Sequence, residues 1–310
     1  MIDLDPAFTK RMGRAFGDAG RMWIAQLPAI LRTYADRWEL TLEKPYALSH
    51  NYVAPAMRSD GTRVVLKAGV PRKDIAHEIA ALRHWGGDGA VGVLEADAVA
   101  GVFLLEHVAP GTPIIEIDDA EATRVAAGIM RRLWRPAPAE HTFPTIADWG
   151  AAFGELRARH GGTSGSLPQA LFDRGESLYF DLVASQAEPV VLHGDLHHWN
   201  ILRAEREPWL AIDPHGVVGE PAFEVGPWLR NPQGDPGESG EARFLLKQPD
   251  VPRVLDRRLG IFTEELGFDR QRVRDWGIAM CTLSAAWSDE SGHVEGWRHA
   301  MAVAEALGRL

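Results

Sequence analysis

The sequence predicts an α+β fold in two lobes: a small β-rich N-terminal lobe over residues 1–108 and a larger, mainly helical C-terminal lobe over 109–310. Three observations predict it. Short β-like runs crowd between residues 51 and 107, two of them joined by an Asp-Gly turn. "APGTP" at 109–113, rich in proline and glycine, then breaks the pattern and serves as a lobe boundary. Beyond it apolar residues recur at helical spacing almost to the end, interrupted by a further pair of short strands at 200–213.

Each element follows from its own pattern. Residues 20–38 set Trp23, Leu27, Ile30, Leu31, Tyr34 and Trp38 on one face, an amphipathic helix. "NYVAPAMRSDGTRVVLKAG" at 51–69 is a hairpin turning on "SDGT", and Pro55 predicts an edge position or a bulge for its first strand. Lys67 ends the second strand. "RKDIAHEIAALRHW" at 72–85 is helical, and strands follow near 92–98 and 101–107. Past the boundary, helices are expected at 119–135, 145–160 and 168–187. "PVVLHGD" is a short strand, and "NILRAEREPWLAID" at 200–213 is a second hairpin. From about residue 251 three helices remain, with "WSDESGH" at 287–293 as a loop.

Composition narrows the function. The net charge is −10, which disfavours a partner made of phosphate backbone or anionic lipid and favours a cationic small molecule. Cys281 is the single cysteine, so neither an internal disulfide nor a cysteine-based zinc site is available. The N-terminal "MIDLDPAFTK" lacks the apolar core of a signal peptide, and no apolar run reaches a membrane span. The expectation is a cytoplasmic protein with no nucleic acid and no membrane partner; oligomeric state is unreadable.

The chemistry concentrates in "HGDLHHWNIL" at 193–202. In the 200–213 hairpin Asn200 lies just before one strand and Asp213 just after the other. Their positions are adjacent, about 5 Å apart across a ladder. An amide oxygen and a carboxylate suit Mg²⁺, which completes its octahedron with water and phosphate oxygens. Asp195, five residues before Asn200, stands where a carboxylate can take a proton from an attacking hydroxyl. D-x-x-x-x-N is the spacing of the protein-kinase catalytic loop. Upstream, Lys67 and Glu78 can pair as the lysine and helix glutamate of a nucleotide site. Backbone groups from Glu106 to Val108 can meet an adenine edge.

Rival readings stand beside this one. His193, His197, His198 and His215 could build a metallohydrolase with Asp195 and Asp213, although adjacent His197 and His198 cannot easily face one ion from a regular strand. A nucleotide-binding regulator without turnover would keep the same residues. Gly87, Gly89 and Gly92 match G-x-G-x-x-G, but after a helix and before a strand, the reverse of the dinucleotide fingerprint. Trp287, Asp289 and Glu290 offer an aromatic face and two acids to a cationic acceptor, or form an ordinary solvated loop.

"HGDLHHWN" with "WLAIDPHGVVGEPAFEVG" resembles the aminoglycoside phosphotransferase group of the protein-kinase-like fold, in particular the streptomycin 6-phosphotransferase and hydroxyurea phosphotransferase family. The resemblance implies a two-lobed kinase-like fold with Mg²⁺ and a nucleotide, ATP or GTP, in the cleft. The γ-phosphoryl group would pass to a hydroxyl of a small molecule, streptomycin-like or an ordinary metabolite. It makes Asp195 the catalytic base, Asn200 and Asp213 the magnesium ligands, Lys67 the phosphate-binding lysine, His193 a buried loop-shaping residue and Glu224 a structural acid. The chain departs from the pattern in places. Asp213-Pro214-His215 replaces Asp-Phe-Gly, and Glu224 replaces an aspartate. "YALSHNY" lacks the usual glycines, which leaves phosphate contacts to Ser49 or backbone amides.

Overall fold

A computed structural model of the chain describes residues 4–234 and 243–310. The chain divides into two compact units, the first ending at Ala109 and the second beginning at Pro110.

The first unit runs α1 (Pro6–Arg37), β1 (Leu40–Leu42), β2 (Tyr52–Arg58), β3 (Arg63–Ala68), α2 (Lys73–Trp85), β4 (Val93–Asp97) and β5 (Val102–Glu106). Its strands form an antiparallel sheet in the order β1-β2-β3-β5-β4. Helix α1 begins well before the expected residue 20. Asp5 caps it by accepting the Ala7 amide at 2.8 Å, and the helix breaks at Gly17, where φ is +57°. Its apolar stripe of Phe8, Met12, Trp23, Leu27, Leu31 and Tyr34 buries one face of the sheet. That face carries Tyr52, Ala54 and Ala56 of β2 with Val64, Leu66 and Ala68 of β3. The period of two puts Lys67 on the opposite face, where it pairs in register with Phe103 of β5.

The expectation for Pro55 fails: β2 is an inner strand with no register shift against β3. The reason is local. β1 pairs only with residues 56–58 of β2, and the Pro55 carbonyl accepts from Glu43, just past the end of β1. In an antiparallel ladder a residue's N–H and C=O share one side, so the missing proline donor faces the finished side and breaks no bond to β3.

The second unit runs β6 (Pro110–Pro113), α3 (Asp119–Leu133), α4 (Ile146–Trp149), α5 (Ala151–Arg159), α6 (Gln169–Ala184), β7 (Val190–Leu192), β8 (Ile201–Ala204), β9 (Trp209–Ala211), β10 (Val217–Gly219), α7 (Val225–Arg230), α8 (Val251–Leu266), α9 (Arg270–Glu290) and α10 (Val294–Leu307). Two small antiparallel sheets, β6-β8-β9 and β10-β7, sit among the helices. Helix α9 is buried from Val273 to Ala286 except at Arg274, which marks it as the central helix of the unit. Around its Trp276 stand Tyr179 of α6 and Phe223, both edge-on. Each such ring contributes roughly 1.5–3 kcal/mol through burial.

Three expectations change here. "APGTP" is no simple break, because residues 110–113 pair with β8 as β6. The helix expected at 145–160 divides at Gly150 into α4 and α5. The "WSDESGH" loop is shorter than expected, since Trp287, Asp289 and Glu290 belong to the last turn of α9. Among the described residues no helix is long and apolar enough to cross a membrane.

Candidate active site

In the first unit, β3 and α2 bring Lys67 and Glu78 together. Nζ lies 2.6 Å from Glu78 Oε1 with both side chains 6% exposed, and Nζ also sits 5.7 Å from the Phe103 ring centroid. Asp74, one turn earlier on α2, is exposed, while Glu78 and, one turn later, Leu82 turn inward. Glu106 ends β5, and its Oε1 accepts the Gly92 amide at 2.8 Å, clasping the strand before it. Val108 follows, half-buried. Ser49 is exposed, and its carbonyl accepts from Arg11. Gly86, just before "GDGAVG", caps α2 in the left-handed region, and Gly87 and Gly89 of that stretch also have positive φ.

In the second unit the loop 193–200 is built between β7 and β8. Its side chains alternate. Leu196, His198 and Asn200 are buried, while Asp195, His197 and Trp199 are half-buried. Glu224 anchors the entrance, accepting the amides of His193 at 2.6 Å and Gly194 at 2.9 Å. Burial pushes its carboxyl up to about 7 against those two donors. Gly194 has φ +83°, and a Cβ there would lie 2.8 Å from the Trp149 ring, so only glycine fits. The imidazole of His193 donates from Nε2 to the Ile212 carbonyl at 2.8 Å and accepts the Asp195 amide at Nδ1, 3.3 Å away. Burial pushes this imidazole down to about 4, so it stays neutral.

The hairpin register then sets the two oxygen ligands. Ile201 pairs with Ala211, and the Ile212 amide extends the ladder to the Asn200 carbonyl at 2.9 Å. Asp213 is thus the first residue past the ladder beside Asn200. Its φ of +61° is a left-handed conformation that aspartate tolerates better than most residues. The Asn200 Nδ2 donates to the Asp195 carbonyl at 2.9 Å, which turns the amide oxygen away from the loop backbone. One amide oxygen beside one carboxylate is a hard-oxygen donor pair that fits Mg²⁺.

The histidines are spent separately. His193 holds Ile212, His198 stacks on Trp228 at 3.8 Å and meets Arg258, and His197 turns to Asp195, with Nε2 3.3 Å from Oδ2. Among the described residues no group of three or more His, Cys, Asp or Glu is placed to hold a metal ion. Asp195 also faces Arg230 at 3.8 Å and His215 at 4.0 Å. Although burial opposes the charged form, His197, His215 and Arg230 hold its carboxyl well below the usual carboxylate range.

Trp149 joins this loop to the end of α9, edge-on to His215 at 5.9 Å and to Trp287 at 5.3 Å. Asp289 accepts from His160 Nε2 at 2.8 Å, which ties it to α5, and Glu290 is exposed. Sequence reasoning did not single out Trp149 or Arg230. Arg230 lies far downstream of Asp195 in the chain, and no local spacing signals the contact.

This is the architecture of a protein-kinase-like phosphotransferase. A thermostable mutant of an aminoglycoside phosphotransferase, solved in ternary complex with ADP and hygromycin B, superimposes with a TM-score of 0.61 over 90% of this chain and 97% of its own, at 11% identity. The model of the family described as aminoglycoside/hydroxyurea antibiotic resistance kinase matches residues 37–292, and the chain belongs to that family. It is 34% identical to a streptomycin 6-kinase of Streptomyces glaucescens, over 99% of this chain and 97% of the relative. It is also 34% identical to a hydroxyurea phosphotransferase of Kitasatospora aureofaciens, over 94% and 82%. The protein is a small-molecule kinase that binds a nucleotide and phosphorylates an acceptor hydroxyl.

Proposed function

We propose that the protein transfers the γ-phosphoryl group of ATP to a hydroxyl of a streptomycin-like aminoglycoside, in the cytoplasm and with Mg²⁺. The observation that carries this reading is the β8–β9 register, which sets Asn200 beside Asp213 while the Asn200 amide holds the Asp195 backbone.

Asp195 takes the proton of the acceptor hydroxyl as that oxygen attacks phosphorus. The bond from the γ-phosphorus to the β–γ bridging oxygen breaks, and ADP leaves with the electron pair. His197 fixes one carboxylate oxygen of Asp195 throughout. Asn200 and Asp213 would hold Mg²⁺, which when bound neutralises phosphate charge and aligns the nucleotide. In the first unit Lys67, kept in place by Glu78, meets the phosphates. Backbone groups at Ser49 serve the same phosphates, and those from Glu106 to Val108 serve the adenine. On the acceptor side Trp287 presents an aromatic surface to a cationic sugar. Asp289 shapes that surface from its contact with His160, and Glu290 adds negative charge at the rim.

The test is a mass-spectrometric screen of protein, Mg²⁺ and ATP against aminoglycosides, hydroxyurea, choline, sugars and amino alcohols, with Asp195→Asn as control. Streptomycin heavier by one phosphoryl group, absent in the control, is the expected result. Exclusive phosphorylation of a non-aminoglycoside would overturn the acceptor assignment.

A further inference from the structure

Arg230 closes α7, a helix whose other residues, Val225–Leu229, are all buried. Its backbone is fixed on both sides. His299 Nε2 donates to the Arg230 carbonyl at 2.7 Å, and Arg258 donates to the carbonyls of Trp228 and Asn231. The side chain is only 15% exposed. Even so, its guanidinium makes no hydrogen bond to the described residues, and its Nε is buried without a partner. The nearest charge is Asp195 Oδ1 at 3.8 Å, beyond hydrogen-bond distance.

A largely buried cation with a buried donor left unmade is costly, because the hydration lost at that donor is not replaced. Arg258, more deeply buried, shows the ordinary arrangement in this fold, with donors distributed over Asp119, Trp228, Asn231 and His198. Arg230 is held open by comparison. It is held open beside the carboxylate to which the reacting hydroxyl must come. Guanidinium donors in a fixed fork match phosphoryl oxygens. The transition state of phosphoryl transfer spreads charge over three equatorial oxygens, and an arginine aimed at them accelerates the step strongly.

We propose that Arg230 is an arginine finger supplied in cis, whose guanidinium grips the equatorial oxygens of the phosphoryl group in transit to the acceptor. The proposal rests on the reading of Asp195 as the base. Bond changes are those already given: Arg230 keeps its proton, and Asp195 receives the one lost by the acceptor.

The experiment compares wild type with Arg230→Lys, Arg230→Gln, Arg230→Ala and Asp195→Asn. The first readout is calorimetric binding of ADP with Mg²⁺, with and without aluminium fluoride as a mimic of the phosphoryl group in flight, without acceptor. The second is the rate with streptomycin, or with the acceptor that the screen identifies. The expected result is unchanged ADP affinity, loss of the aluminium-fluoride tightening in Arg230→Gln and Arg230→Ala, and a fall in kcat on the order of 10³-fold. Arg230→Lys keeps a buried cation and tests the fork itself, so little of the rate should return. Added guanidinium should restore part of the Arg230→Ala rate. Aluminium-fluoride tightening as strong in Arg230→Gln as in wild type would overturn the proposal, whatever happened to kcat. An Asp195→Asn variant that retained full turnover would instead remove the base assignment and leave the Arg230 binding result standing.

Discussion

Lys67 Nζ lies 2.6 Å from Glu78 Oε1, a cation and an anion from a strand and a helix, both almost fully buried. Truncating one partner strips the other, still charged, of this close contact in a poor solvent for charge. Glu78→Ala is expected to lower the unfolding free energy by about 3–5 kcal/mol. Replacing both, as Lys67→Met with Glu78→Leu, should cost clearly less than the two single losses added together. Urea denaturation of the four proteins closes the cycle, and strictly additive losses would mean that the pair is not coupled.

Asp195→Asn keeps the shape of the loop and removes the proton acceptor. Removal of a general base is expected to slow transfer by about 10²–10⁴-fold. Nucleotide affinity should hardly move, because Asp195 contacts His197 and Arg230 and no nucleotide group is assigned to it. Single-turnover rates with separate nucleotide titrations distinguish these. An equal loss of both would show a structural role only.

Asp213→Asn should raise the Mg²⁺ concentration needed for half-maximal rate by at least the roughly tenfold that loss of even an outer-shell partner costs. Asparagine is chosen because it accepts the left-handed backbone at φ +61°, so the loss reports on the carboxylate. Asn200→Ala should act in the same direction. Chelation of divalent metal should stop wild-type transfer. A magnesium titration that is superimposable for Asp213→Asn and wild type would remove Asp213 from the ligand set.

His193 gives a pH dependence of known sign. Its folded value of about 4 lies below the ordinary histidine value of 6.5, so the unfolded chain binds the proton more readily. Its contribution is therefore fully present above about pH 6.5 and is lost as pH falls through about 4, a change of a few kcal/mol at most. Chemical denaturation of wild type and His193→Asn between pH 7 and pH 4 checks this. The difference between the two should narrow toward acid, and a constant or widening gap would be falsifying.

The fold was legible where sequence pattern acts locally. The two short runs joined by the "SDGT" turn predicted the first hairpin, and the apolar stripe over 20–38 predicted the later part of α1. Asp195, Asn200 and Asp213 stood out because a hairpin converts their spacing into adjacency. What stayed hidden was either too short or too distant. β1 and β10 have three residues each, too few for any period, whereas the equally short β7 showed as the apolar run before His193. Pro55 misled because the side of the sheet that its missing donor faces depends on where β1 stops. Trp287 and Asp289 were assigned to a loop because a helix end and a polar loop share composition, while α9 continues to Glu290. Arg230 reaches Asp195 through tertiary packing of α7 alone.

Trp149 has a consequence for how this enzyme can change. One indole ring touches the space at Gly194, the ring of His215, the core ring of Phe223 and Trp287 at the tip of α9. On the proposed reading, in which Trp287 faces the acceptor, substitutions that reshape the end of α9 push on the same ring that borders the loop of Asp195. Acceptor range and turnover would then be mechanically joined. A changed acceptor range should come through paired changes at α9 and Trp149, with single steps at Trp287 losing rate before they gain range.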